Sequence, residues 1–190
     1  MERPNAWLTY SDADMQDLET VAKKYRHFLN VGKTERECIT QIVKEAEEAG
    51  YVSLEEKVKN GEDLKAGDKV YQVGMQKIIA LYHIGEEDLA QGMNILCAHI
   101  DSPRLDIKQN PLYEDTDLAY LDTHYYGGVK KYQWVALPMA MHGVIVKKDG
   151  TVVNVTVGED EDDPVLYITD LLIHLAGQQM AKKASEAVEG

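Results

Sequence analysis

The sequence predicts an α/β fold, with helices packed on a mixed sheet in a sandwich arrangement. Signatures of three helix starts come first along the chain, and from Lys69 onward the apolar pattern changes to that of strands separated by glycines. Helices followed by clustered strands are typical of such a sandwich. With 190 residues and 44% hydrophobic content, the chain can bury the core of one domain, or of one domain and part of another.

The helix starts share a capping pattern. In each, a hydroxyl side chain is followed three residues later by an acidic one, so that both can satisfy free backbone donors of the first turn. The pairs are Ser11 with Asp14, Thr34 with Glu37 and Ser53 with Glu56. The first helix is predicted to run to about Leu29 and the second to about Glu48, whereas the third is short.

Four strands are predicted next, over residues 70–73, 77–83, 95–98 and 104–108. The apolar run 95–98 reads as a buried strand, with Cys97 filling a core position. Beyond Asn110 and Pro111 the composition shifts, and a domain boundary is predicted near residue 108, which gives domains 1–108 and 109–190.

The second domain is predicted to be rich in β-structure. It opens with a tyrosine-rich stretch, 113–132, that would line an interface or the substrate entry, or simply lie exposed in loops. Segments 135–147 and 151–157 flank Lys148-Asp149-Gly150, a good hairpin turn. A last helix is predicted to begin at Thr169 or Asp170.

The charge of the chain limits its partners. Lys and Arg number 20 against 33 Asp and Glu, a formal net charge of −13, which argues against nucleic acid and anionic membranes as main partners.

Cys38 and Cys97 form no CxxC pair, so neither a zinc knuckle nor a disulfide framework is indicated. Without a signal-peptide pattern or a long apolar run, a cytoplasmic location is expected.

His99 and Asp101 are the strongest candidates for chemistry. They follow the predicted strand 95–98, and residues two apart in an extended segment point the same way. A neutral imidazole can bind a metal through one nitrogen while a nearby carboxylate orients the ring. This pair therefore reads as the start of a metallohydrolase site, against the alternative of a core histidine at a strand end.

The other candidates are weaker. His27 and His83 fit structural or exposed positions, and His142 fits a satisfied core or interface histidine. His124 fits a functional or a loop role equally well, and helical spacing gives His174 a packing position. The paired carboxylates lie in polar helices or acidic loops and read as solvated surface. There is no P-loop and no Gly-x-Ser-x-Gly elbow, so phosphate-binding and serine-hydrolase sites are not indicated.

Three segments together resemble the aspartyl-aminopeptidase family of dinuclear zinc exopeptidases, in a bacterial branch. They are Ala-His-Ile-Asp-Ser-Pro at 98–103, Thr-His-Tyr-Tyr-Gly-Gly-Val-Lys-Lys-Tyr-Gln-Trp at 123–134 and Ile-Thr-Asp-Leu-Leu-Ile-His-Leu at 168–175. The resemblance extends in order over essentially the whole chain. It implies that residues 1–108 form the N-terminal part of a catalytic domain and 109–190 the first part of an inserted dimerisation domain.

The resemblance also implies the roles of individual residues. His99 matches the first zinc ligand, and Asp101 matches the carboxylate that orients that ligand and supports the catalytic base. His174 matches a histidine that reaches the active site of a neighbouring subunit, which makes a role in trans the better expectation. Members cleave N-terminal residues from peptides with two zinc ions per complete site. They assemble from dimers, with a tetrahedral dodecamer as one form.

The sequence departs from the family in one large respect. The remaining zinc ligands and the general base come from sequence after the inserted domain, so this chain is expected to be an N-terminal portion whose own activity is in doubt. It would need the C-terminal remainder of the enzyme as a partner. The alternatives are a catalytically inert assembly module that binds no metal tightly, and a complementing fragment. The preferred N-terminal residue is not indicated.

Overall fold

The computed structural model describes residues 3–188. It divides into two compact units, one that reaches to Asp101 and a second that starts at Ser102. The boundary expected near residue 108 falls inside a strand of the second unit. The elements are helices packed on a mixed sheet followed by β-hairpins, so the predicted α/β class is confirmed.

All three predicted helices are present in the first unit. They are α1 (Asp12–Val31), α2 (Glu35–Glu48) and α3 (Leu54–Lys59). At α1 and α2 the capping box is complete, because the hydroxyl accepts from the backbone of the acid and the acid accepts from the backbone of the cap. At α3 the Ser53 side chain accepts from the Glu56 backbone.

The sheet of the first unit has three strands in the order β1 (Val52–Ser53), β2 (Lys69–Gly74) and β3 (Ile78–His83). β1 runs parallel to β2, and β3 runs antiparallel to it, so the sheet is mixed as predicted. Helix α2 packs on β2 and β3. Ile39 of α2 and Val70 of β2 are the largest fully buried side chains.

The buried strand predicted at 95–98 is wrong. These residues follow a short 3-10 helix (Leu89–Gln91) and Gly92, and they lie outside any strand. Leu96 is fully exposed and so is most of Ile95, and Cys97 is exposed rather than in the core. The apolar run has the composition of a buried strand, but within residues 3–188 it pairs with no neighbouring strand.

The second unit begins with a long hairpin formed by β4 (Arg104–Asp115) and β5 (Leu118–Tyr126). The strand predicted at 104–108 is present but is longer than predicted, since β4 continues through Asn110 and Pro111. The register shifts between Ile107 and Leu112, and that irregularity accommodates the proline, which has no N–H to give to a ladder.

The second hairpin is confirmed, with β6 (Met141–Val146) and β7 (Val152–Val157) in antiparallel register. The helix predicted from Thr169 or Asp170 is wrong, because a helix, α4, spans only Gly177–Met180. Four apolar side chains before it are exposed, and an apolar run with no surface to pack on lacks most of what stabilises a helix in a protein. They are Leu171, Leu172, Ile173 and Leu175.

Candidate metal-binding segment

His99 and Asp101 lie side by side, as alternate positions of an extended segment predict. The Nδ1 atom of His99 is 3.2 Å from Oδ1 of Asp101 and 3.0 Å from the backbone oxygen of Asp101. Both oxygens are acceptors, so Nδ1 carries the proton and donates when the imidazole is neutral. The ring is thereby left with a lone pair on Nε2, the atom that faces away from the carboxylate.

The exposure of the pair differs between its members. The His99 side chain is 85% exposed and that of Asp101 is 40% exposed. A histidine whose one nitrogen is held by a carboxylate and whose other nitrogen is accessible has the arrangement used by metal ligands. The geometry therefore supports the reading of His99 as a ligand over that of a core histidine, since this side chain is not buried.

The residues present fit part of a zinc site. Catalytic zinc is typically held by three protein ligands, and histidine nitrogen is among the usual donors. Across residues 3–188 no group of three or more His, Cys, Asp or Glu side chains could hold a metal ion. In this segment His99 is the candidate ligand, and Asp101 is the carboxylate that contacts its ring.

His174 lies in the second unit, in a turn and not on a helix, so the packing position inferred from helical spacing is wrong. The side chain is exposed, and Ile173 and Leu175 beside it are about 67% and 71% exposed. An exposed histidine in an apolar turn is accessible to another molecule. The structure leaves its role in trans as a prediction.

Along β4 and β5, one face carries charged side chains that sequence reasoning did not bring together. Arg104 Nε donates to Oδ1 of Asp106 at 2.7 Å, and its guanidinium lies 4.2 Å from the centre of the Tyr126 ring. Lys108 pairs with Asp122 at 3.0 Å. The charge of Arg104 is thus engaged by a carboxylate and by an aromatic ring.

The remaining histidines have local roles. His142 is largely buried on β6, and its Nε2 lies 3.0 Å from Oε1 of Glu159. This contact links β6 to the residues that follow β7. His124 Nδ1 is 3.3 Å from the backbone oxygen of Tyr125.

In the described part of the chain, no helix is long and apolar enough to cross a membrane.

Comparison with known proteins gives a consistent result. A family model described as aminopeptidase I zinc metalloprotease (M18) matches residues 28–189. A relative named "Probable M18 family aminopeptidase 1" from Clostridium acetobutylicum is 56% identical over 189 residues, covering 100% of this chain and 41% of the relative. The protein of the same name from Thermotoga maritima is 41% identical over 194 residues, covering 100% of this chain and 40% of its own length.

Solved structures agree. The crystal structure of aminopeptidase I from Clostridium acetobutylicum superimposes with a TM-score of 0.85 at 54% identity, covering 100% of this chain and 41% of that one. The M18 aminopeptidase of Thermotoga maritima gives 0.86 at 41% identity, covering 98% and 39%. The chain thus spans about 41% of the length of the curated relatives it matches. That share agrees with the expectation of a part of a longer enzyme.

Proposed function

This chain belongs to the M18 family of aminopeptidase I zinc metalloproteases, and from that premise we propose that it serves the zinc-dependent removal of N-terminal residues from peptides. The observation that carries the proposal is the contact of His99 Nδ1 with Asp101, 3.2 Å long, which leaves Nε2 accessible. The chain spans 41% of its relative from Clostridium acetobutylicum, so the activity is proposed for the protein at its natural length.

In the proposed mechanism the chain's own residues would hold the metal and orient the histidine that binds it. His99 would hold one zinc through Nε2, and Asp101 would fix the imidazole ring and keep its Nδ1 proton in place. A bound zinc would supply Lewis acidity for hydrolysis of the peptide bond. His174 contacts the substrate in a neighbouring subunit. Its exposed position in the turn supports that assignment.

We further propose an assembly of identical subunits built from dimers, with the tetrahedral dodecamer of the family as its largest form. Residues 1–108 would belong to the catalytic domain and 109–190 to the dimerisation domain. Support comes from the exposed apolar turn at 171–175, because contiguous exposed apolar surface marks interaction sites. Two free cysteines fit a reducing compartment such as the cytoplasm.

The alternative, an inert assembly module, is not favoured. The relatives from Clostridium acetobutylicum and Thermotoga maritima are both named aminopeptidases, and neither name describes an assembly protein. The accessible Nε2 of His99 also gives the chain a feature that an assembly module does not need.

The experiment is His99→Ala in the natural-length protein, assayed on peptides with zinc present. Loss of one ligand should abolish turnover while size-exclusion chromatography still finds the assembled particle. His83→Ala is the matched control, since His83 is an exposed histidine at the end of β3. Full activity in His99→Ala would overturn the proposal.

A second substitution tests the role in trans. We expect His174→Ala to lower turnover and to leave the zinc content unchanged, because this residue contacts substrate and not metal. Kinetics and metal analysis on the same sample separate the two effects. A loss of zinc in His174→Ala would contradict the assignment.

A further inference from the structure

The thiol of Cys38 joins the helical core to the segment that carries His99. Cys38 lies on α2 and is 4% exposed. Its Sγ is 3.6 Å from the backbone oxygen of Gly32 and 3.9 Å from that of Ile100. Ile100 is the residue between His99 and Asp101, so a buried side chain 62 positions earlier meets the backbone of the candidate site.

Packing around the thiol leaves it little freedom. A Cβ atom added at Gly32 would lie 2.9 Å from Sγ of Cys38 and 3.1 Å from the backbone oxygen of Phe28. A side chain at this position would force the sulfur or the turn to shift, so the glycine lets the turn between α1 and α2 close onto the sulfur. Sγ thus packs closely against this turn, and it also contacts the Ile100 carbonyl.

The chemistry of the thiol matches this position. Burial, reinforced by the nearby carboxylates of Glu37 and Glu35, raises the pKa of Cys38. The group therefore stays protonated, and its single S–H, a weak donor, lies within reach of both neighbouring carbonyl oxygens and is given to one of them at a time. A thiolate in the same place would be repelled by both.

The contact of Cys38 with Ile100 lies between the two residues of the candidate site, His99 and Asp101. The contact of His99 with Asp101 depends on the backbone between them, and rotating the Ile100 peptide would separate their side chains. Leu96 and His99 are exposed, whereas the carbonyl of Ile100 in the same segment contacts a buried side chain of the helical core.

We propose that Cys38 is a positioning residue for the His99–Asp101 pair, acting through the backbone carbonyl of Ile100. The catalytic meaning of this inference rests on the proposed function, in which His99 binds zinc. The effect of Cys38 on the ring of His99 does not rest on that function, because the orientation of the imidazole can be measured without metal or substrate.

The test is the tautomer of His99, read from long-range proton–nitrogen NMR of the ring at about pH 8.5, where an ordinary histidine is neutral. The native chain should show Nδ1 protonated and Nε2 bare. In Cys38→Ala the segment loses its anchor, and the Nδ1-protonated share should fall at least about twofold, as expected when a weak hydrogen bond no longer biases the ring. Cys97→Ala is the matched control, because Cys97 is the exposed cysteine of the same segment.

Each outcome decides the matter. A fall in Cys38→Ala with no change in Cys97→Ala supports the proposal, whereas an unchanged tautomer in a folded Cys38→Ala overturns it and leaves the thiol as core filling. If Cys38→Ala does not fold, Cys38→Ser is read instead. The serine hydroxyl keeps a donor that alanine lacks, although its oxygen sits closer to Cβ and further from Ile100. A smaller fall than in Cys38→Ala is therefore expected, and an unchanged tautomer again overturns the proposal. Failure of the proposed function would appear separately, as full activity of His99→Ala.

Discussion

At the scale of single residues, the pairing of His99 with Asp101 follows from local geometry alone. The two residues are separated by one position, so the sequence predicted that they lie close together, and they are in contact although the strand expected before them did not form. The nitrogen left accessible for a metal depends on the same contact. What local geometry could not supply is the set of further ligands, which comes from residues distant in sequence.

We predict that Asp101→Asn weakens zinc binding without abolishing it. An amide can still accept from Nδ1 but carries no charge to support the ring, and loss of such an orienting carboxylate typically lowers metal affinity about 10- to 100-fold. Competition with a chelator in the natural-length protein measures the change. An affinity equal to that of the native protein would show that Asp101 does not orient His99.

Tyr71 gives a prediction about pH. Its hydroxyl donates to Glu47 at 2.7 Å, and this bond, with partial burial, raises the pKa of Tyr71 to about 12. Because the folded-state pKa lies above the unfolded value, the stabilisation is complete below about pH 10 and is lost as the pH rises towards 12.

Tyr71→Phe should therefore lower the free energy of unfolding at neutral pH by about 1 kcal/mol, the usual net worth of one hydrogen bond. The difference from the native chain should vanish in strong alkali. Urea unfolding at both pH values measures it, with Tyr82→Phe as control, since Tyr82 is an exposed tyrosine on β3. An equal loss at both pH values would rule out the hydrogen bond as the cause.

At the scale of elements, the sequence predicted best what is decided within a few residues. The helix starts at Ser11, Thr34 and Ser53 depend on pairs three residues apart, and all three are present. The strand at 95–98 and the last helix depend on partners distant in sequence, so composition alone misjudged them. The strand predicted at 104–108 was too short, because a register shift lets β4 continue through Pro111.

The cap of α2 can be tested directly. The side chain of Thr34 accepts from the backbone of Glu37, and we expect Thr34→Ala to destabilise the chain by about 1 kcal/mol. Thr40→Ala on the same helix is the control. Its hydroxyl only returns to the carbonyl of Arg36, and alanine is the better helix former, so a neutral or slightly stabilising effect is expected. Thermal unfolding followed by circular dichroism distinguishes the two, and equal effects would refute the role of the cap.

At the scale of the whole molecule, the buried apolar side chains that the structure describes lie mostly in the first unit. Cys38, Ile39, Ala46 and Val70 belong to it, and Ala176 belongs to the second. Large apolar side chains such as Leu96 and Leu172 are exposed instead. Exposed apolar surface of this kind marks interaction sites, which supports the proposed assembly.

Membership of the M18 zinc metalloprotease family and the accessible imidazole of His99 both support the proposal that this residue binds zinc. The most direct measurement is the zinc content per chain of the natural-length protein and of its His99→Ala variant, determined on assembled particles. We expect about two zinc ions in the native protein, the number of a two-metal site, and a loss of about one in the variant. Equal zinc in both proteins, or none in the native one, would contradict the assignment of His99 as a ligand.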